Sequence, residues 1–260
     1  DIPQTPRRRV DPAHSCHGHR PQSPRRRAQT SPQGGAPVLG ILVPSRGRPG
    51  NLRRLIDAIG ATATGEVRIY TRVDDDDPTR DEYLALEGVH ITTGPRIYYG
   101  PSLNQLAPIA DADGCDHLAM FGDDVVPETH GWDRLLIDAL DGRLGVAYGS
   151  DGLEHKHARD LPTHYVTQTE ISRRLGWFAP PTMRHLFLDN VARDLGKGLG
   201  NFVYVPEAKI RHLHPWAGLA ERDQTYREGG SNKRVRQADE LAYRRWARHQ
   251  LPRDLARLLP

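Results

Sequence analysis

The sequence predicts an α/β fold in which a mainly parallel sheet is covered by helices. Two observations carry this. Between residues 38 and 148, short apolar runs alternate with stretches whose apolar residues recur at helical spacing. Three of those runs end directly in polar clusters, PSRGRP, DDDD and GDD. In a parallel α/β sheet the carboxyl ends of the strands border the ligand crevice, so one sheet edge would gather all three clusters.

Taken in order, VLGILV at 38–43 is the first strand and stops at PSRGRPG. Leu52, Leu55, Ile56 and Ile59 then fall on one face of a helix opening near Asn51. VRIYTRV at 67–73 is a second strand, running into the acids 74–77. A short helix over 79–86, a strand over 89–93 and a helix over 101–110 follow. HLAMF at 117–121 reads as a buried strand leading into GDD; Trp132, Leu135, Leu136 and Leu140 give a helical stripe, and 144–148 another strand. Beyond Gly149 the pattern is less regular. Helices are expected at 168–175, 186–195 and 232–250, and strands at 201–205 and 208–213.

The 260 residues suffice to bury a sizeable core, yet only 37% are apolar. Part of the deficit lies in residues 1–36, which hold seven Arg, two Asp and six Pro, a net +5 with nothing to bury. The remainder carries 29 basic against 31 acidic residues, so the basic balance belongs to the tail, and a basic nucleic-acid-binding core is excluded. We expect a disordered, dispensable tail at 1–36, able at most to hold an anionic partner weakly, a domain over 37–230, and a helical extension over 231–260. No apolar run reaches the 18 or so residues of a membrane span, and the N-terminus lacks a signal peptide's apolar stretch. Two cysteines, Cys16 and Cys115, make no disulfide framework, and a cytoplasmic setting is expected.

The strand-end clusters bring Arg46 and Arg48 beside Asp74, Asp75, Asp123 and Asp124, a combination suited to a metal-bound phosphate ligand. Asp123 and Asp124 stand out because two carboxylates directly after a buried strand are costly unless a cation sits with them. His212 and His214 point to one face of a strand, and neutral imidazole is a good ligand for a borderline metal. His155 and His157 share that spacing in a polar loop, and HSCHGH at 14–19 matches no zinc pattern. There is no GxxxxGK[ST] or HExxH; SRGRPG is not GxGxxG, and DDDDPTRDEYLA lacks the Gly and Glu of a calcium-binding EF-hand loop.

A strand ending in PSRGRP, one ending in an acidic cluster, a helix bearing an Asn and a strand ending in a DxD-like pair together resemble the GT-A fold of family-two-like glycosyltransferases. HLFLDNVARDLG followed by IRHLHP is similar to a glycosyltransferase-like group common in phage and actinobacterial genomes. The resemblance covers about residues 38–228, and the order of the motifs carries it.

It implies a metal-dependent, inverting transferase that moves a sugar, such as a hexose, from a UDP- or similar nucleotide-sugar to an acceptor hydroxyl. Pro44, Ser45 and Arg46 match the first nucleotide-contact loop, with Arg48 adding charge; Asp74 or Asp75 matches the acid that meets the base. Ser102 and Asn104 match the helix lining the donor site, Asp123 and Asp124 the DxD-like motif, with Asp124 as the ligand of Mn²⁺ or Mg²⁺, and His212 or His214 the histidine completing that site. Asp189 matches the acceptor's general base, a position that also suits a helix N-cap. The first acid of the DxD is replaced by Gly122, and Leu188 precedes Asp189 where the family carries a second acid. Trp177, Phe178 and Trp216 offer rings for a sugar to stack on. The rivals are a nucleotidyltransferase, disfavoured because residues 38–60 contain no Lys, a non-catalytic nucleotide- or carbohydrate-binding module, and an RNA-binding protein using the tail.

Overall fold

The computed structural model describes residues 35–153, 159–221, 223–228 and 232–259. The tail up to residue 34, with HSCHGH, and His155 and His157 lie outside the described residues, as does the Trp216 side chain. Eight strands form one mixed sheet in the order β3-β2-β1-β4-β7-β6-β8-β5. The first half is built as expected: β1 (Val38–Pro44) pairs in parallel with both β2 (Glu66–Asp74) and β4 (His117–Met120), and β2 with β3 (His90–Gly94). The helices α1 (Pro49–Thr62), α2 (Arg80–Leu84) and α3 (Tyr99–Ala112) make the connections.

Alternation along the strands sorts the core into two layers. Leu39, Ile41 and Val43 of β1 and Ala119 and Phe121 at β4 face one side, with Leu52, Leu55 and Ile59 of α1. Leu42, Leu118 and Met120 face the other, with Leu103 and Leu106 of α3. The helix α4 (Trp132–Ala139) joins the first layer through Trp132, Leu136 and Ile137, whereas Leu135 of the anticipated stripe is exposed.

The second half departs from a purely parallel pattern. A strand not anticipated from sequence, β7 (Tyr165–Gln168), runs antiparallel to both β4 and β6 (Val146–Ser150). Its four residues, YVTQ, are too short and too polar to stand out by periodicity. The two strands expected at 201–205 and 208–213 are one, β8 (Phe202–His212). Pro206 does not break it, because a register shift against β6 at Gly149/Ser150 absorbs the irregularity. There Gly149 lies so close to the Ala208 carbonyl oxygen that a Cβ would collide with it. A three-residue strand, β5 (Val125–Pro127), pairs with the end of β8 and so holds the GDD segment against His212.

The helices α5 (Thr169–Leu175) and α6 (Leu188–Gly198) cover the second layer. The short α7 (Gln224–Glu228) follows β8, and α8 (Lys233–Arg245) continues through a π turn at Trp246–Gln250 into α9 (Leu251–Leu258). Asn232 caps α8 by accepting from Arg234 N (3.0 Å) and Val235 N (3.3 Å). Trp246 and Leu258 bury in the same cluster as Leu188 and Val191 of α6. Among the described residues no helix is long and apolar enough to cross a membrane.

Candidate functional site

The carboxyl ends of β1, β2 and β4, with the end of β8 beside them, open into a cleft of about 1240 Å³ that is also lined by residues 185–189. That exceeds the roughly 300–1,000 Å³ of a typical small-molecule site and leaves room for two substrates. Pro44, Ser45, Arg46, Arg48, Asp74, Ser102, Asp123, Asp124, Asp189, His212 and His214 all line it.

The loop after β1 is held by side chains that face it from the sheet. Ser45 Oγ donates to Asp123 Oδ2 (2.6 Å) and receives the Tyr83 hydroxyl (2.7 Å), which in turn accepts from Arg48 N (2.7 Å). Asp77 accepts from Gly47 N (2.7 Å). Buried Tyr83, on α2, is therefore the post around which the PSRGRP loop turns. Arg48 reaches Asp123 Oδ1 (3.2 Å) and forks onto Asp223, at 2.5 Å and 2.7 Å. Burial and the neighbouring Asp124 charge push the Asp123 carboxyl up to about 6, against the pull of Arg48 and Ser45.

On β2, Asp74 is saturated by donors. Its Oδ1 accepts from Arg72 Nη1 (2.6 Å) and Ile97 N (3.2 Å), and its Oδ2 from Arg46 Nη1 (3.2 Å). Arg72 is 2% exposed and also bonds Gln105 Oε1 (2.7 Å) and the Pro95 carbonyl. Arg46, Arg72 and Asp74 thus form one paired network in the lining of the cleft. Asp75 is exposed and lies outside the cleft lining. Asn104 also lies outside it. Its amide clamps the turn after α5, donating to Ala179 O (2.7 Å) and accepting from Phe178 N and Ala179 N. Ser102 stays in the wall, its hydroxyl on Tyr98 O (3.0 Å).

Asp124 and His212 meet across the β5–β8 pairing, with Nε2 at 3.4 Å from Oδ1. Burial works against the Asp124 charge, but the imidazole and Arg48 outweigh it and hold the carboxyl below its usual range; the same contact raises His212 against its own burial. A carboxylate and an imidazole this close are a donor pair that could hold one divalent cation between them. Among the described residues no third His, Cys, Asp or Glu joins them. His214 turns its ring edge-on to His212 (5.0 Å) and Tyr226 (5.5 Å). A Cβ at Gly122 would sit 2.5 Å from Asp124 Oδ1, so a side chain there would have to displace the Asp124 carboxylate from its present place.

Asp189 opens α6, but the N-cap position is Phe187, so Asp189 does not cap the helix. Its carboxylate accepts from Asn190 N (2.8 Å) and from the Asn190 side-chain amide (3.1 Å) and lines the cleft, and burial raises it above the usual carboxylate range. Asp151 is buried behind His212, whose N–H donates to the Asp151 carbonyl (2.9 Å). Glu170 pairs with Arg173 and Arg174 on the surface of α5. Trp177 and Phe178 pack on Trp246 and Tyr165, away from the cleft.

Four contributors escaped the sequence reading: Tyr83, Arg72, Asp223 and His185. Arg72 alone carried a local signal, a charge inside an apolar strand. The others come from distant segments that only the fold brings in.

No family profile and no curated protein matches the chain. Solved structures do. A fragment of S. aureus TarS, residues 1–349 in complex with UDP-GlcNAc, superposes with a TM-score of 0.51 at 10% identity, over 66% of this chain and 57% of that one. The mannosyltransferase PcManGT from Pyrobaculum calidifontis, in complex with GDP-Man and Mn²⁺, gives 0.51 at 11% identity over 88% of this chain and 76% of that one. The chain spans little more than half of the TarS fragment. At such identities the likeness is one of fold, and it agrees with the mixed sheet and its strand-end cleft: the chain has the GT-A fold.

Proposed function

We propose that this protein is a glycosyltransferase that binds a nucleoside diphosphate-sugar in the cleft and passes the sugar, with inversion, to an acceptor hydroxyl. The observation that carries the reading is the division of the cleft. Arg46, Arg48 and Asp124 with His212 occupy one wall, suited to a diphosphate and its cation, and the Asp189 carboxylate the other. The likeness to a UDP-GlcNAc-bound and a GDP-Man-bound structure supports the same ligand class. Among the described residues no Lys lines the cleft, which disfavours nucleotidyl transfer.

A divalent ion such as Mn²⁺ held by Asp124 and His212 would neutralise charge on the departing nucleoside diphosphate. The protein's own groups do the rest. Arg48, positioned by Asp123 and Tyr83, offers charge-assisted donors to the phosphates. Asp74, with Arg46 and Arg72, borders the pocket for the base. Asp189 takes the acceptor's proton as its oxygen attacks the anomeric carbon, and a single displacement with one base inverts that centre. The test is release of nucleoside diphosphate from a panel of UDP- and GDP-sugars in the presence of Mn²⁺. Turnover of at least one donor is expected; none, across donors and acceptors, overturns the reading.

Two variants probe the donor wall. Asp223 holds Arg48 with a fork that a diphosphate must replace. Asp223→Ala should tighten nucleoside diphosphate binding severalfold, the ~1 kcal/mol scale of a half-exposed ion pair. Weaker binding by calorimetry would mean that Asp223 orients Arg48 for the ligand. Gly122→Asp restores a DxD in sequence but places its Cβ against the Asp124 carboxylate. It should weaken Mn²⁺-dependent nucleotide binding by about tenfold or more, 1.4 kcal/mol; stronger binding would refute the steric account.

A further inference from the structure

The loop that delivers Asp189 to the cleft is tied from both sides. From the sheet side, Gly100 N donates to Arg184 O (2.8 Å), and Gly100 approaches the Met183 carbonyl so closely that a Cβ would lie 2.7 Å from it. From the other side comes α8. The Asp239 carboxylate, 1% exposed, accepts three successive backbone N–H groups: Arg184 N on Oδ1 (2.9 Å), and His185 N and Leu186 N on Oδ2 (both 2.8 Å). Next in the chain, Phe187 adopts φ +65°, a left-handed conformation that a bulky side chain rarely takes, and its ring stacks on Tyr243 of α8 (5.6 Å, 13° between planes). Tyr243 in turn donates to Asp194 of α6 (2.6 Å). One helix turn, Asp239 to Tyr243, therefore fixes both the loop before Asp189 and the helix that carries it.

We propose that Asp239 is a positioning residue for transfer: by gathering the 184–186 amides it holds the Phe187 turn, and hence the Asp189 carboxylate and His185, at the acceptor side of the cleft. The physical reason is local. A loop in an unfavourable backbone conformation persists only where its surroundings over-determine it, and such strain collects at functional sites. A buried carboxylate that accepts three backbone N–H groups is a tether of that kind. His185 is carried by the same tether: its ring lines the cleft, packs edge-on to Tyr99 (5.7 Å) and is kept neutral by burial. The helical extension after residue 231 thereby becomes part of the site. The claim rests on Asp189 being the base.

The experiment compares wild type, Asp239→Asn and Asp239→Ala in the full chain. Asn keeps one acceptor oxygen for the His185/Leu186 pair but turns an NH₂ toward Arg184 N–H, so it should be the milder change. Expected are a roughly tenfold fall in kcat for Asn and a hundredfold fall for Ala, with UDP or GDP affinity in Mn²⁺ unchanged within twofold: the loop is bonded to Asp239 and Gly100 and meets the ring of Tyr98 through Arg184 (5.1 Å), and its tether is not made by Arg46, Arg48, Asp124 or His212. The acidic limb of the kcat–pH profile should also move toward lower pH as the Asp189 carboxyl becomes better solvated. A kcat within twofold of wild type in a folded Ala variant, or kcat and nucleotide affinity falling together, overturns the proposal. If the Ala variant does not fold, the Asn variant decides by the same criteria. If wild type turns over no donor, the transferase reading fails separately, and hydrogen exchange decides the tether. Amides 184–186 should be protected in wild type and exchange at least tenfold faster in Asp239→Asn, with the β1–β4 amides unchanged; equal exchange overturns it.

Discussion

Asp189→Asn should bind nucleoside diphosphate as tightly as wild type and lose about 10²- to 10⁴-fold in kcat, the usual worth of a general base. The substitution keeps the side chain's shape and its bond to Asn190 N, and removes only the ability to take a proton. An effect on kcat without one on affinity marks an interaction made in the transition state. The wild-type profile supplies a second check. Because burial raises the Asp189 carboxyl, the base is protonated and idle at low pH, and activity should climb with pH through a midpoint above the ordinary carboxylate range. Turnover of the Asn variant near wild-type rate would reassign the base, with the buried Asp151 behind His212 as the next carboxylate to test.

The second large effect is expected at Asp124. It meets His212 at 3.4 Å and is held ionised by that imidazole and by Arg48. Asp124→Ala should abolish the Mn²⁺-dependent part of nucleotide binding and reduce transfer by several kcal/mol, on the order of 10³-fold. His212→Ala should act in the same direction, more weakly, because a carboxylate and the substrate phosphates remain. Nucleotide binding that ignores both Mn²⁺ and Asp124 would leave the pair as a structural contact between β5 and β8.

The parallel half of the sheet was legible because each of its strands is a short apolar run bounded by a turn or a charge cluster. What hid in the second half was hidden for physical reasons. YVTQ pairs with strands on both sides through backbone hydrogen bonds, which leave little trace in side chains. Pro206 suggests a break that a register shift against Gly149 removes. One side of the cleft was written locally: PSRGRP, the acids after VRIYTRV and GDD all sit at strand ends, and Pro44, Ser45, Arg46, Arg48, Asp74, Asp123 and Asp124 from them line one cleft. Asn104 shows the limit of reading by position. An Asn on the expected helix, it clamps the backbone of Phe178 and Ala179 and takes no part in lining the cleft. Tyr83, Asp223 and Asp239 were invisible for another reason. Each acts on a segment 35 or more residues away, and nothing in its own neighbourhood in the sequence sets it apart.

The central claim is that the strand-end cleft is built for a nucleoside diphosphate and a divalent cation. The most direct measurement is the thermal unfolding of the wild-type chain with UDP, GDP, ADP and CDP, each with and without Mn²⁺. A nucleotide at about 100 times its dissociation constant stabilises the folded state by about 2.7 kcal/mol, a shift of several degrees. Such a shift is expected for at least one nucleoside diphosphate, larger with Mn²⁺ than without, and its Mn²⁺-dependent part is lost in Asp124→Ala. No shift with any nucleotide, at any Mn²⁺ concentration, would contradict it.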